Sequence, residues 1–174
     1  GYDVATDTYN TTWSEIDVSC EACHGPASRH LEWAAKAEYA RDTAGNFGLL
    51  VKTSGIDNKE YVDRCMRCHS RRMSFDDFHH EADVYHHSVP NLPMPENYHI
   101  DGQILEEDYV YGSFTQSKMY MNGVKCNDCH NVHSGQLLYD DNRLCTQCHR
   151  ADDYDTYAHH FHKASGELGH AVVA

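Results

Sequence analysis

Hydrophobic and polar positions alternate with little regularity along this chain, and few stretches carry a helical or strand period. Residues 1–18 (GYDVATDTYNTTWSEIDV) mix Tyr and Thr with acids and show no repeat, so they read as an N-terminal arm. Residues 27–41 (ASRHLEWAAKAEYAR) are rich in Ala and other good helix formers. They predict a helix entered after a Gly25-Pro26 turn, capped by Ser28 and ended by Gly45 and Gly48. Residues 58–69 (NKEYVDRCMRCH) predict a short helix. Residues 70–100 lack a period and carry Pro90, Pro93 and Pro95, which predicts an extended loop. Residues 103–122 predict a helix over their second half, stopped by Gly123. The expected fold class is therefore mostly irregular with a few α-helices, in one domain over 1–174 with a C-terminal tail at 164–174.

Composition makes that reading a problem. Leu, Ile, Val and Phe supply 29 of 174 residues, about 17%, and the formal charge is −13. Such a chain falls in the range of disordered sequences. Yet it has 12 Tyr, 2 Trp, 8 Cys and 15 His, and disordered segments are poor in aromatics. The apolar mass needed for folding must come from something other than side chains, which points to a large bound cofactor. The acidic balance argues against nucleic acid as a partner, because phosphates are neutralised by clustered Lys and Arg. No run of 18 apolar residues is present, so no transmembrane helix is expected. The chain begins at Gly1 with no visible signal peptide and is read as a mature chain whose leader has been removed.

The cysteines identify the cofactor. All eight fall in C-x-x-C pairs, Cys20/Cys23, Cys65/Cys68, Cys126/Cys129 and Cys145/Cys148, and each pair is followed directly by His24, His69, His130 or His149. C-x-x-C-H is the attachment signature of c-type haem. Two thiols add across two vinyl groups on one porphyrin edge, and the adjacent His sits beneath the iron as axial ligand. At this His content, chance would place a His after all four pairs with a probability of about 5 × 10⁻⁵. A structural zinc site uses paired C-x-x-C but needs no His after every second Cys. A disulfide framework fits secreted chains, but tight C-x-x-C pairs are more typical of redox or metal chemistry. Four covalent haems are expected, about one per 43 residues, and their stack would serve as the core of the fold. Covalent attachment takes place outside the cytoplasm, so a periplasmic or extracellular location follows.

Eleven histidines remain: His30, His79, His80, His86, His87, His99, His133, His159, His160, His162 and His170. Any one of them reads equally well as a solvated polar residue, but four irons need four sixth ligands and this supply is ample. Met66, Met73, Met94, Met119 and Met121 are alternatives that would raise a haem's potential, although Met is also a common core filler. Bis-His ligation at all or nearly all sites is expected, with low potentials and irons closed to substrate. His30 follows His24 by six residues and His133 follows His130 by three. So short a tether scarcely crosses its own macrocycle, so each should ligate a neighbouring haem and draw the two together. Within 27–41, His30, Leu31, Trp33, Ala34 and Ala37 could face a haem, and Arg71 and Arg72 could pair with propionates. The third and fourth motifs lie 19 residues apart and form a compact two-haem unit.

Several stretches resemble the multihaem cytochromes c: CEACHGPASRH at 20–30, CMRCHSRR at 65–72, YHIDGQI to YVYGSFTQSKMY at 98–120, GVKCNDCHNVHSG at 123–135, LCTQCH at 144–149 and YDTYAHHFHK at 154–163. That family includes tetrahaem carriers of nitrogen-cycling bacteria and haem domains fused to tetratricopeptide repeats. The resemblance implies His30 and His133 as distal ligands, with His99 and one of His159 and His160 (His160 preferred) as the next. Many relatives continue into a further C-x-x-C-H after the HHFH segment, whereas this sequence stops at four. The chain is also similar to exported tetrahaem cytochromes that polymerise into conductive filaments with a His shared between subunits.

Electron transfer through closely packed haems is the expected function, with redox proteins as partners and a homopolymer as one form of it. The alternative is a periplasmic reductase with one open haem acting on a small nitrogen or sulfur oxide. A haem sensor or haem-delivery module is a third reading. The acidic surface would steer a soluble carrier toward basic partners and would repel like subunits.

Overall fold

The computed structural model describes residues 1–106 and 109–161. His162, His170 and the tail at 164–174 lie outside the described residues, as does the side chain of His160. The chain divides into two compact units, Gly1–Ser117 and the segment from Lys118 onward. As expected, most of each unit is irregular, with short helices and small sheets.

The arm in the first unit is not entirely featureless. Strands β1 (Tyr2–Asp3) and β2 (Thr8–Tyr9) pair antiparallel, with Tyr2 opposite Tyr9. The first haem motif is itself a helix, α1 (Cys20–His24). The helix expected over 27–41 is shorter: α2 covers Ser28–Ala34, and Ser28 is its first residue rather than its cap. Two long side chains explain the early stop. Arg41 donates to Ala34 O at 2.8 Å and to Lys36 O at 3.0 Å, and Trp33 Nε1 donates to Asp42 O at 2.5 Å. Carbonyls that a longer helix would have bonded internally are thus claimed by the returning chain.

That returning chain makes a turn over Asn46–Gly48, with three successive positive φ angles of 54°, 58° and 76°. Gly48 is obligatory there, because a Cβ would lie 2.6 Å from the Arg29 carbonyl oxygen.

Helix α3 (Asn58–His69) has the predicted bounds. Asp57 caps it by accepting from Glu60 N at 2.7 Å. Two i,i+4 ion pairs, Lys59–Asp63 and Arg64–Glu60, lie along it at 2.6 Å each. Val62 and Met66, also four apart, are buried.

Residues 70–100 are not a simple loop. Strands β3 (Arg72–Ser74) and β4 (Ser88–Pro90) form a hairpin in the register Met73 opposite Val89, entered through a 3₁₀ turn at Val84–His86. Helix α4 (Val110–Thr115) packs on α3. Tyr111 of α4 donates to Asp63 at 2.7 Å, and its hydroxyl lies 2.7 Å from that of Tyr85. This knot joins α3, the 3₁₀ turn and α4. Burial, followed by these bonds, holds the Tyr111 phenol far above its usual range.

The second unit opens with α5 (Lys118–Met121), so the helix expected near 103–122 is split in two at Gln116–Ser117. Gly123 stops it as expected, with φ of 87°. Its N–H donates to Tyr120 O and that of Val124 to Met119 O, the Schellman arrangement. A two-residue hairpin follows, β5 (His130–Asn131) with β6 (Gln136–Leu137), and then α6 (Arg143–Thr146), α7 (Ala151–Tyr154) and α8 (Tyr157–His160). Among the described residues, every buried apolar side chain (Val51, Val62, Met66, Val84, Tyr98 and Tyr111) belongs to the first unit.

Candidate functional site

Each C-x-x-C pair occupies one helical turn. The first lies in α1, the second ends α3, the third forms a 3₁₀ turn over Cys126–Asp128, and the fourth runs through α6 with Cys148 N donating to Cys145 O. Residues three apart on such a turn share a face, so each pair presents both thiols to one side. No disulfide joins the eight cysteines. Among the described residues, no three His, Cys, Asp or Glu side chains converge to hold a bare metal ion.

The fold brings motifs together in pairs within each unit. In the first, the partly buried Arg67 guanidinium sits in the electrostatic field of Cys23, Cys68 and Cys65, while burial pulls its pKa down. In the second, burial first, then the neighbouring Asp128 and the thiols of Cys145 and Cys148, push the Cys129 thiol up. Gln147 Nε2 donates to Asp128 O at 2.9 Å and ties the third motif to the fourth.

The histidines fall into distinct environments. His30 is half-buried, stacked on Trp33 at 5.5 Å, with Nδ1 2.8 Å from Phe47 O. A carbonyl only accepts, so Nδ1 carries the proton and the Nε2 lone pair is free for a metal. Phe47 offers this carbonyl from its left-handed turn. His99 and His133 are exposed, and the fold does not gather them with the other spare histidines. Tyr154 bridges His149 and His159 with ring contacts of 4.5 and 4.8 Å.

His87 is the feature that sequence reasoning left undistinguished. It is 4% exposed and lies between the 3₁₀ turn and β4. Its Nδ1 lies 2.8 Å from Ser88 Oγ, which donates its one proton to Val84 O at 3.4 Å. The hydroxyl therefore accepts from Nδ1–H, leaving Nε2 as a lone pair that is buried and has no partner. Such an orphaned group costs about 1–3 kcal/mol. No sequence signal marks it, because the burial of one His among eleven depends on the hairpin.

His87 and His80 line a cavity of about 650 Å³ between α3 and residues 78–87. This lies within the roughly 300–1,000 Å³ typical of cofactor pockets. Its wall is mixed in charge: Lys59, Arg64 and Arg67 stand among Asp57, Glu60, Asp63, Glu81 and Asp83, and Lys59 and Arg64 pair with Asp63 and Glu60. Arg64 Nε is shielded from solvent and, like His87 Nε2, lacks a hydrogen-bond partner. One orphan is a donor and the other a lone pair. Arg64 is already paired through Nη2 with Glu60, so the feature here that fits a haem is the buried His87 lone pair, which an iron would meet. His80 differs: Arg67 Nη1, which can only donate, lies 3.3 Å from His80 Nδ1 and leaves the proton on Nε2.

Comparison with known proteins agrees with this chemistry. The doubled CXXCH motif family matches residues 119–154, the segment holding the third and fourth motifs. The chain is 26% identical over 152 residues to a multiheme cytochrome MtrA of Shewanella baltica (strain OS185), which covers 76% of this chain and 42% of the relative. The chain thus spans less than half the length of that curated relative. No solved structure matches. Among the described residues, no helix is long and apolar enough to cross a membrane. The paired motif indicates covalently bound c-type haem, and together with this relative it makes the chain similar to the multihaem cytochromes c.

Proposed function

We propose that the chain carries four c-type haems, attached through Cys20/Cys23, Cys65/Cys68, Cys126/Cys129 and Cys145/Cys148, and moves electrons along them outside the cytoplasm. His24, His69, His130 and His149 are the proximal ligands. A haem supplies a one-electron iron couple; the protein supplies ligation, spacing and dielectric. The observation that carries this reading is the C-x-x-C-H sequence repeated four times, each pair set on a single helical turn, with Gln147 Nε2 donating to Asp128 O between the third and fourth. His30 and His133 are sixth ligands to neighbouring haems, and one of His159 and His160 completes the second unit. The four haems form one conducting series, the stack that takes the place of an apolar core. Both histidines of each iron come from the protein, so no iron is open to a substrate.

The chain works with redox partner proteins and also suits a filament in which a His of one copy ligates a haem of the next. Mass spectrometry of the mature protein, with paramagnetic resonance of its ferric form, tests this. Four added haems and uniformly low-spin irons are expected. A high-spin iron in the native protein would overturn the carrier reading in favour of a reductase. Electron microscopy of native material separates filament from soluble shuttle.

A further inference from the structure

We propose that His87, rather than His99, is the sixth ligand of the haem held by Cys20, Cys23 and His24, and that Ser88 is its positioning residue. This assignment rests on the bis-His carrier reading and names the ligand within it.

Three observations converge. The His87 ring is buried with its Nε2 lone pair unpartnered, a state a fold keeps only when something else meets that atom. Ser88 and the Val84 carbonyl fix its tautomer, the outer-shell hydrogen bond that orients metal-binding imidazoles. Finally, the ring lines a cavity of about 650 Å³, a volume suited to a large cofactor. His80 shares the cavity but has its proton on the wrong nitrogen, and His99 does not line it.

Two contacts choose the haem. Leu50 and Val51 line the same cavity, and Val51 N donates to His24 O at 3.1 Å, so this wall is fastened to the first motif. Phe75 N donates to His87 O at 3.0 Å across the β3–β4 hairpin, which places His87 beside a residue only six positions after His69. The short-tether argument that separates His30 from its own haem separates His87 from the haem of Cys65 and Cys68. The two sites thereby exchange ligands: His30 serves the second haem and His87 the first.

The test uses the full haem-loaded chain. Ferric His87→Ala should show one high-spin iron per chain with the haem count unchanged by mass. His87→Met should return that iron to low spin with a raised midpoint potential. Ser88→Ala should leave it low-spin but shift its g-values, which a merely structural serine would not do. His99→Ala should leave every iron low-spin. His24→Ala combined with His87→Ala should alter one iron, because both ligands belong to it; two altered irons would overturn the assignment to the first haem. A His87→Ala protein identical in spectrum to the wild type would overturn the ligand assignment. If that variant fails to mature, His87→Met decides: an unchanged bis-His spectrum refutes the proposal, and a Met-ligated iron supports it. Missing haems or high-spin iron in the wild type would instead refute the carrier reading, whatever His87 does.

Discussion

The two units carry the same chemistry on opposite kinds of scaffold. The first holds its motifs against a 12-residue capped helix, a hairpin and a buried knot of Asp63, Tyr85 and Tyr111. The second holds its pair with single turns, a two-residue hairpin and one side-chain bridge from Gln147, and among its described residues no side chain is buried. A domain with so little packed apolar surface does not offset its conformational entropy. The polypeptide therefore supplies part of the core in the first unit and, among the described residues, almost none in the second, where on the four-haem proposal the porphyrins supply it.

The strongest way to break this contrast is to remove attachment points. Cys126→Ala with Cys129→Ala should abolish protease resistance from Lys118 onward while the first unit keeps its α3 and hairpin, read by limited proteolysis and mass mapping. Equal collapse of both units, or of neither, would erase the distinction. Within the first unit, Met66 is fully buried on α3, and Met66→Ala should cost about 2–5 kcal/mol, seen as faster hydrogen exchange along 58–69. Asp63→Asn should cost about 1–3 kcal/mol, because Tyr111 loses a charged acceptor; exchange should rise in both α3 and α4. At the small end, Arg143 pairs with Asp140 and Asp141 at 3.5 Å on the open surface of the second unit. Arg143→Ala should change stability by less than about 0.5 kcal/mol, checked by thermal melting, and a larger loss would show that unit to be held by its own polar contacts.

Legibility in the sequence followed the range of the interactions. The haem motifs and α3 could be read because their causes are local: a C-x-x-C-H spacing, an Asp57 cap, and charges at i,i+4. The Gly123 stop was readable for the same reason. The end of α2 was not, because Arg41 reaches back across several residues to the Ala34 and Lys36 carbonyls while Trp33 reaches forward to that of Asp42. The β3–β4 hairpin escaped notice because its strands are three residues long and the segment joining them has no tight-turn signature. His87 was one among eleven spare histidines for that reason: its burial is a product of the hairpin.

The left-handed turn at Asn46–Gly48 has a kinetic meaning beyond backbone geometry. It presses a carbonyl onto one edge of the His30 imidazole while Trp33 lies against the ring's face. On the proposed ligation, an imidazole clamped on two sides has little room to swing when its iron changes charge. Each hop through that iron would then ask for little nuclear rearrangement, and fast exchange would follow from stiffness in a part of the chain that touches no haem motif.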